Sequence, residues 1–198
     1  MSAVLSSKND STQLYENKLN NSKKFNLIDH LFIPHTAVEE AIERIEQCLE
    51  ISANAVEPVC MLVIGESRTG KTRVFEFITS KYPKRRCDDG LIVPVLKVTT
   101  PSNPTVKGLA EVLLRQLGDP LPGKGTETNM TTRLVTLLQA TKVRMVIVDE
   151  FQHFYDKQSN KVMHHVADWL KNVIDESKVS LIVGGLPSCQ IVINQNEQ

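Results

Sequence analysis

The residues with the clearest chemical meaning are the eight from Gly65 to Thr72, which read Gly-Glu-Ser-Arg-Thr-Gly-Lys-Thr. They match the pattern G-x-x-x-x-G-K-S/T of the phosphate-binding P-loop. A loop of inward-pointing backbone N–H groups that ends at a helix N-terminus offers a fixed positive field to a triphosphate. The predicted nucleotide-binding set is Gly65, Glu66, Ser67, Arg68, Thr69, Gly70, Lys71, Thr72 and Arg73.

The residue types within the loop indicate which part of the nucleotide each one would meet. Glycines at Gly65 and Gly70 permit backbone conformations that a Cβ would hinder and allow close approach to the phosphates. The Lys71 ammonium would reach the β- and γ-phosphates, and the Thr72 hydroxyl would bind Mg²⁺. The sequence therefore predicts ATP and Mg²⁺ as cofactors.

A second motif begins at Met145, where an apolar run ends in Asp149 and Glu150, the Walker B pattern. Two acids at a strand terminus are costly to bury unless they meet a cation. Asp149 fits as the carboxylate on the Mg²⁺ side, and Glu150 fits as the general base that orients an attacking water. A further strand between the two motifs in the chain favours the branch of P-loop proteins with a catalytic glutamate.

The elements that must position these motifs alternate between strand and helix. Strands are predicted at about 59–64, 91–98, 143–148 and 179–183, the second at a sheet edge because of Pro94. Helices are predicted at 36–52, from the P-loop to about 81, from a start at Asn103 and Pro104, at 129–140 and at 160–175. This order predicts an α/β protein of three αβα layers, with a parallel sheet flanked by helices.

The composition limits the functional classes. Of the 198 residues, 41% are hydrophobic and 23% are charged, which is ordinary for one α/β domain. The formal net charge is +0, so any nucleic-acid surface must be a local patch. There is no apolar run of membrane-spanning length, no signal-peptide core and no C-x-x-C pair. These features predict a cytoplasmic protein with reduced thiols and no membrane partner.

Two segments leave alternatives open. Residues 1–24 are polar and predict a flexible arm, either a tail or a partner-binding segment, ahead of a core at 25–198. A basic cluster around Pro83 is either a solvated loop or a contact for a phosphate backbone. Its members are Lys81, Lys84, Arg85 and Arg86.

Three stretches together resemble one family. Residues 65–73 are similar to its form G-E-S-G-T-G-K-T/S, and 148–153 are similar to its D-E-F/A-Q-H run, which is the most discriminating piece. Residues 183–187 resemble its G-L/I-P after the fourth strand. They resemble the TniB/TnsC family of transposon-encoded AAA+ ATPases, related to IstB-type helpers, and the match extends over about 25–198.

The resemblance implies an AAA+ P-loop fold and an ATP-dependent regulator of DNA transposition. Such proteins assemble on duplex DNA as rings or filaments with ATP between subunits, and they link a target-selection protein to the transposase. The implied location is the bacterial cytosol, in association with the nucleoid. The resemblance also implies that Phe32–Pro34 border the adenine. It implies DNA contacts, with solvated residues or helix caps as the alternative, at Lys97, Thr99, Thr100 and Lys107.

The chain also departs from the family pattern. Arg68 stands where the family commonly has glycine, and Ser188 is the one hydroxyl residue near Gly184 for a sensor role. The family's arginine finger, fifth strand and helical lid have no counterpart before Gln198, so we expect nucleotide binding with weak or no hydrolysis. Two alternatives to the transposition ATPase therefore stay open. One is a nucleotide-binding adaptor that acts through protein contacts, and the other is another AAA+ DNA-associated ATPase.

Overall fold

The computed structural model describes residues 36–52, 57–88, 90–101, 104–156 and 160–189. The elements in chain order are α1 Thr36–Ser52, β1 Cys60–Ile64, α2 Lys71–Lys81, β2 Arg85–Cys87, β3 Gly90–Ile92, β4 Val95–Thr99, α3 Val106–Gln116, α4 Glu127–Ala140, β5 Met145–Asp149, α5 His153–Asp156, α6 Asn160–Ser177 and β6 Ser180–Gly185. The predicted arm at 1–24 and the predicted adenine border at Phe32–Pro34 lie outside the described residues. Among the described helices, none is long and apolar enough to cross a membrane.

Four strands form the main sheet in the order β1-β6-β5-β4, and every pair is parallel. The strand before the P-loop and the strand before the two acids are therefore separated by β6. Because parallel strands end at the same side of a sheet, Ile64, Asp149 and Gly185 lie at one carboxyl edge. The predicted parallel sheet is confirmed.

Helices cover both faces of this sheet. On one face, Val146, Val148 and Leu181 join a buried core with apolar residues of α3, α4 and α6. The alternating residues Ile147 and Ile182 are fully buried but lie outside that core, as expected for side chains on the opposite face. There α1 contacts α2 and β6, and α2 contacts β4. The three-layer αβα arrangement follows, and it explains why the strands read as continuous apolar runs.

The predicted single strand at 91–98 is wrong, because Pro94 divides it. Proline has no N–H to donate to a ladder. The first part becomes β3, which pairs antiparallel with β2, and the second part becomes β4. The Pro94 carbonyl accepts hydrogen bonds from Arg144 N (2.9 Å) and Met145 N (3.3 Å), which aligns β4 with β5. The predicted edge position is confirmed for β4.

Two predicted helix starts also differ from the structure. Helix α3 begins at Val106 rather than Pro104, because the Thr105 side chain accepts a hydrogen bond from Gly108 N at 3.0 Å and so caps the helix. Asn103, the predicted cap, lies outside the described residues. Helix α4 begins at Glu127, two residues earlier than predicted, with Thr126 as its cap.

Candidate functional site

The P-loop joins β1 to α2 through two left-handed residues. Gly70 has φ 92° and precedes the first residue of α2, and its carbonyl accepts a hydrogen bond from Val74 N at 3.0 Å. Arg68 has φ 64°, a backbone conformation that costs a non-glycine residue roughly 1–2 kcal/mol. This gives a physical reason for the glycine that the family commonly has at this position.

A side chain at Gly65 would collide with the Thr69 side chain of the same loop. A Cβ added there would lie 2.9 Å from Thr69 Oγ1, whose hydroxyl donates to Glu66 O at 2.8 Å. The Lys71 ammonium donates to Gly65 O (2.7 Å) and Glu66 O (2.8 Å). The lysine is thus held over the loop by two carbonyls, which a phosphate group would replace as its partners.

A part-buried hydroxyl–carboxylate pair links the start of α2 to the end of β5. Thr72 Oγ1 donates to Asp149 Oδ2 at 2.8 Å, and Asp149 is only 1% exposed. The second carboxylate oxygen accepts from Glu150 N at 2.9 Å. Both side chains offer hard oxygen ligands, and Mg²⁺ prefers one or two such groups together with water and substrate phosphates. The described residues contain no group of three or more His, Cys, Asp or Glu side chains that could hold a metal ion.

Glu150 directly follows the buried Asp149 and lines a cavity beside the P-loop. Its φ is 59°, so the backbone turns sharply at the end of β5. Its carboxylate accepts a hydrogen bond from Gln152 Nε2 and lies 3.7 Å from His153 Nε2. Together with residues 67–73, Glu150, Gln152 and Leu186 line a cavity of about 300 Å³. The structure therefore brings the two predicted motifs together around one space.

The end of β6 holds the two motifs in place. Gly65 N donates to Gly185 O at 3.3 Å, and Phe151 N donates to Gly184 O at 2.9 Å. A Cβ at Gly184 would lie 2.3 and 2.7 Å from ring atoms of Phe75, which is fully buried. The sequence places these glycines in the family-like stretch 183–187 but does not indicate how closely they pack. The cavity lining includes Leu186 and Gln152 but not Ser188, the predicted sensor candidate.

The four predicted DNA residues divide into two pairs. Lys97 Nζ lies 3.8 Å from Glu76 and its side chain is only 17% exposed. Thr100 is buried, and its hydroxyl donates to Asp149 O at 2.9 Å, so it supports the strand that carries the acid. Thr99 and Lys107 are exposed.

A basic cavity lies at the opposite, amino edge of the sheet. It encloses about 450 Å³ and is lined by Lys81, Tyr82, Pro83, Arg85, Ile92, Pro94, Lys142 and Arg144. The Lys81 ammonium also pairs with Glu46, and that hydrogen bond raises the pKa of Lys81. The sequence does not reveal the part of Lys142 and Arg144 in this cavity, since no spacing along the chain links them to the basic cluster.

Lys84 has a structural partner instead. Its ammonium donates to Gln116 O (3.0 Å) and Gln116 Oε1 (2.9 Å), at the last residue of α3. Burial lowers the pKa of Lys84. A cation at a helix C-terminus stabilises the helix dipole, so this member of the predicted cluster serves the fold.

Comparison with known proteins identifies a family and a fold. A family model described as "Bacterial TniB protein" matches residues 25–198. The fold is similar to the ORC2 protein of Aeropyrum pernix in ADPNP–ADP complexes, with a TM-score of 0.56 and 16% identity over 83% of this chain and 44% of that chain. It is also similar to the ORC1 protein of Aeropyrum pernix in complex with DNA, with a TM-score of 0.54 and 17% identity over 81% of this chain and 41% of that chain.

A chain of Drosophila ORC bound to DNA is similar as well, with a TM-score of 0.52 and 12% identity over 92% of this chain and 30% of that chain. The present chain spans less than half the length of each of these solved proteins. At these identities the likeness establishes the shared P-loop AAA+ fold. No match was found among curated proteins.

Proposed function

The chain belongs to the TniB family, whose model spans residues 25–198, and from this premise we propose that it is an ATPase acting on duplex DNA in transposition. The observation that carries the proposal is the part-buried contact between Thr72 and Asp149, next to Glu150, which lines a cavity together with the P-loop. A hydroxyl, a carboxylate and a second carboxylate in this order are the groups that Mg-ATP hydrolysis requires.

Each residue of the site has a defined part in this reaction. The backbone N–H groups of residues 65–70 and the Lys71 ammonium bind the phosphates. Thr72 and Asp149 would hold Mg²⁺, which when bound neutralises charge on the phosphate oxygens. The Glu150 carboxylate orients a water and accepts its proton, because a carboxylate within hydrogen-bond reach of the water is a general base.

We further infer that ATP is held between neighbouring copies of the chain. Residues 66–69 and Arg73 are exposed around the cavity, so the bound phosphates would face outward from one subunit. This geometry supports self-assembly on DNA as a ring or filament, as the family premise implies. A transposase and a target-selection protein are the proposed protein partners, and the bacterial cytosol is the proposed location.

Two exposed surfaces are candidates for the DNA backbone. One comprises the exposed side chains of Thr99, at the end of β4, and Lys107, in the first turn of α3. The other is the basic cavity at the amino edge, where four cations surround a concave space. The structure favours these surfaces over Lys97 and Thr100, whose side chains contact protein groups.

ATP turnover measured with and without duplex DNA tests the proposal. We expect Lys71→Ala to reduce turnover about 100-fold or more, because the phosphates lose their cation. Glu150→Gln should keep ATP binding and lose hydrolysis. Lys124→Ala, an exposed lysine between α3 and α4, is the matched control and should behave as wild type. Tight ATP binding without turnover in the wild-type protein would instead support the non-hydrolysing adaptor.

A further inference from the structure

Gln152 is a buried polar side chain with both ends of its amide engaged. It is 5% exposed. Its Nε2 donates to Glu150 Oε2, and its Oε1 accepts from Leu186 N at 3.3 Å. These partners fix the amide orientation, since the reverse orientation would set oxygen against carboxylate and N–H against N–H. Gln152 therefore bridges the acid after β5 to the end of β6.

The bridge lies at the reaction site rather than beside it. Gln152, Glu150 and Leu186 line the same cavity as the P-loop. The Glu150 side chain is 38% exposed, so a partner is needed to keep its carboxylate in one position. His153 is at 3.7 Å, longer than a hydrogen bond, which leaves the Gln152 amide as the closer of these two neighbours.

The same short segment of β6 also contacts the P-loop. Gly65 N donates to Gly185 O at 3.3 Å, one residue before Leu186. A Cβ at Gly185 would lie 3.2 Å from Gln152 Oε1 and 2.6 Å from Cys189 Sγ, so the bridge needs a glycine there. A change in the P-loop on phosphate binding therefore has a short path to the general base through hydrogen-bonded groups.

We propose that Gln152 is a positioning residue for ATP hydrolysis: it aims the Glu150 carboxylate and ties its position to the end of β6. The inference rests on the proposed ATPase function and deepens it. A residue that acts through Glu150 affects the chemical step, whereas a residue that only fills space affects stability or nucleotide binding. The two roles differ in kcat, KM and pH dependence.

The test compares Gln152→Glu and Gln152→Met with wild type in steady-state ATP turnover from pH 5.5 to 8.5. Both substitutions preserve approximate size, and both remove the amide N–H that Glu150 accepts. We expect kcat to fall about 10- to 100-fold at pH 8, the range for losing a group that orients a reactive one. KM for ATP should stay within about twofold of wild type, since the P-loop is unaltered.

The pH dependence separates positioning from packing. In Gln152→Glu, the introduced carboxyl becomes protonated as pH falls and can again donate to Glu150. The kcat deficit of this variant relative to wild type at the same pH should therefore shrink toward pH 5.5. Methionine has no proton to donate, so the deficit of Gln152→Met should not shrink toward pH 5.5.

Gln139→Glu is the matched control. Gln139, on α4, likewise donates through Nε2, but to a backbone carbonyl, Glu176 O at 3.2 Å, and its exposed side chain does not line the cavity. Retained kcat in both Gln152 variants overturns the inference, as does a loss that appears only in KM or in the thermal midpoint. Should Gln152→Met fail to fold, Gln152→Glu carries the test, because it keeps an acceptor for Leu186 N. Wild-type protein that binds ATP without turnover overturns the proposed function itself, and with it the role of Gln152.

Discussion

At the carboxyl ends of the strands, Asp149 and Gln152 are buried polar side chains held by hydrogen bonds, whereas at the amino ends the charges lie on long side chains around a cavity. Thr72, Asp149 and Gln152 make hydrogen bonds of defined length near the P-loop. At the other edge, Arg85 and Lys142 are exposed. The two regions would therefore bind an anion in different ways, through hydrogen-bonded groups at the carboxyl edge and through exposed cations at the amino edge.

Under the proposed function, the two edges of one sheet would bind two different anions, ATP at the carboxyl edge and DNA at the amino edge. A site built from fixed backbone N–H groups and buried carboxylates loses much of its activity when a single polar group is removed. Exposed cations bind a polyanion by releasing counterions, so their effect depends on how many charges take part and on salt. We therefore expect substitutions at the carboxyl edge to change catalysis or stability sharply, and substitutions at the amino edge to change salt-dependent affinity by degrees.

The largest effect is expected from Thr72→Val at the carboxyl edge. The change keeps the shape but removes the hydroxyl that contacts Asp149 at 2.8 Å. Loss of a metal-binding oxygen should lower kcat/KM for Mg-ATP about 100-fold. Thr79→Val on the same helix is the control, because the Thr79 hydroxyl donates to Phe75 O within its own helix. Equal activity of the two variants would contradict the assignment of Thr72.

Gly184→Ala should give the next largest effect, on stability. The added Cβ meets the buried Phe75 ring at 2.3 Å, and overpacking of this kind costs typically about 1–3 kcal/mol of unfolding free energy. Urea denaturation monitored by circular dichroism measures it. In Gly123→Ala the new Cβ would lie 3.2 Å from the carboxyl end of the Glu111 side chain, which can move. Equal unfolding free energies of the two alanine variants would contradict the tight packing of Gly184 against Phe75.

Charge reversal at the amino edge sharpens the comparison through DNA binding. The double variant Arg85→Glu and Lys142→Glu should weaken duplex binding about tenfold at low salt and reduce the log–log salt slope by about 2. Lys107→Glu, at the other candidate surface, should reduce the slope by about 1. Fluorescence anisotropy at several salt concentrations measures both. An unchanged slope in the double variant would remove the amino edge as a DNA surface.

The smallest effect is expected for Arg144, a cation of the basic cavity whose side chain also stabilises the fold. Arg144 Nη2 donates to Leu49 O at 2.7 Å, in the last turn of α1. Arg144→Met should lower the unfolding free energy by about 1–2 kcal/mol, since a part-buried carbonyl loses a charged donor. Arg73→Met removes a half-exposed pair with Glu76 and should cost less than about 0.5 kcal/mol. Chemical denaturation of the two variants distinguishes them.

The parallel fold and the meeting of two motifs could be predicted because their signals are local. A P-loop pattern specifies a strand, a loop and a helix within about twenty residues, and the acid pair follows an apolar run directly. The parallel direction of the strands follows from the same logic, since alternating strands and helices form parallel sheets. Each of these inferences needs only neighbours in the chain.

The features that could not be predicted depend on contacts across the chain. Pro94 predicts an edge position from the sequence alone. Its division of one strand into two also depends on the turn before Met145, because the amides of Arg144 and Met145 donate to the Pro94 carbonyl. Lys142 and Arg144 join the basic cavity only because β5 runs beside β4. The resemblance noted Gln152 as part of a run, yet its bridge to Leu186 requires the end of β6. The position of Arg68 in the sequence did not reveal its left-handed backbone.

The outer position of β1 has a consequence for how nucleotide binding can be observed. Among the described strands, β1 pairs only with β6, and in a parallel strand alternate backbone N–H groups point to opposite sides. Hydrogen–deuterium exchange along β1 should therefore alternate between slow and fast amides. Because the P-loop continues directly from Ile64, bound Mg-ATP should slow the whole pattern through linkage. The exchange rates of the β1 amides would then report, residue by residue, whether the P-loop holds nucleotide, without an attached probe.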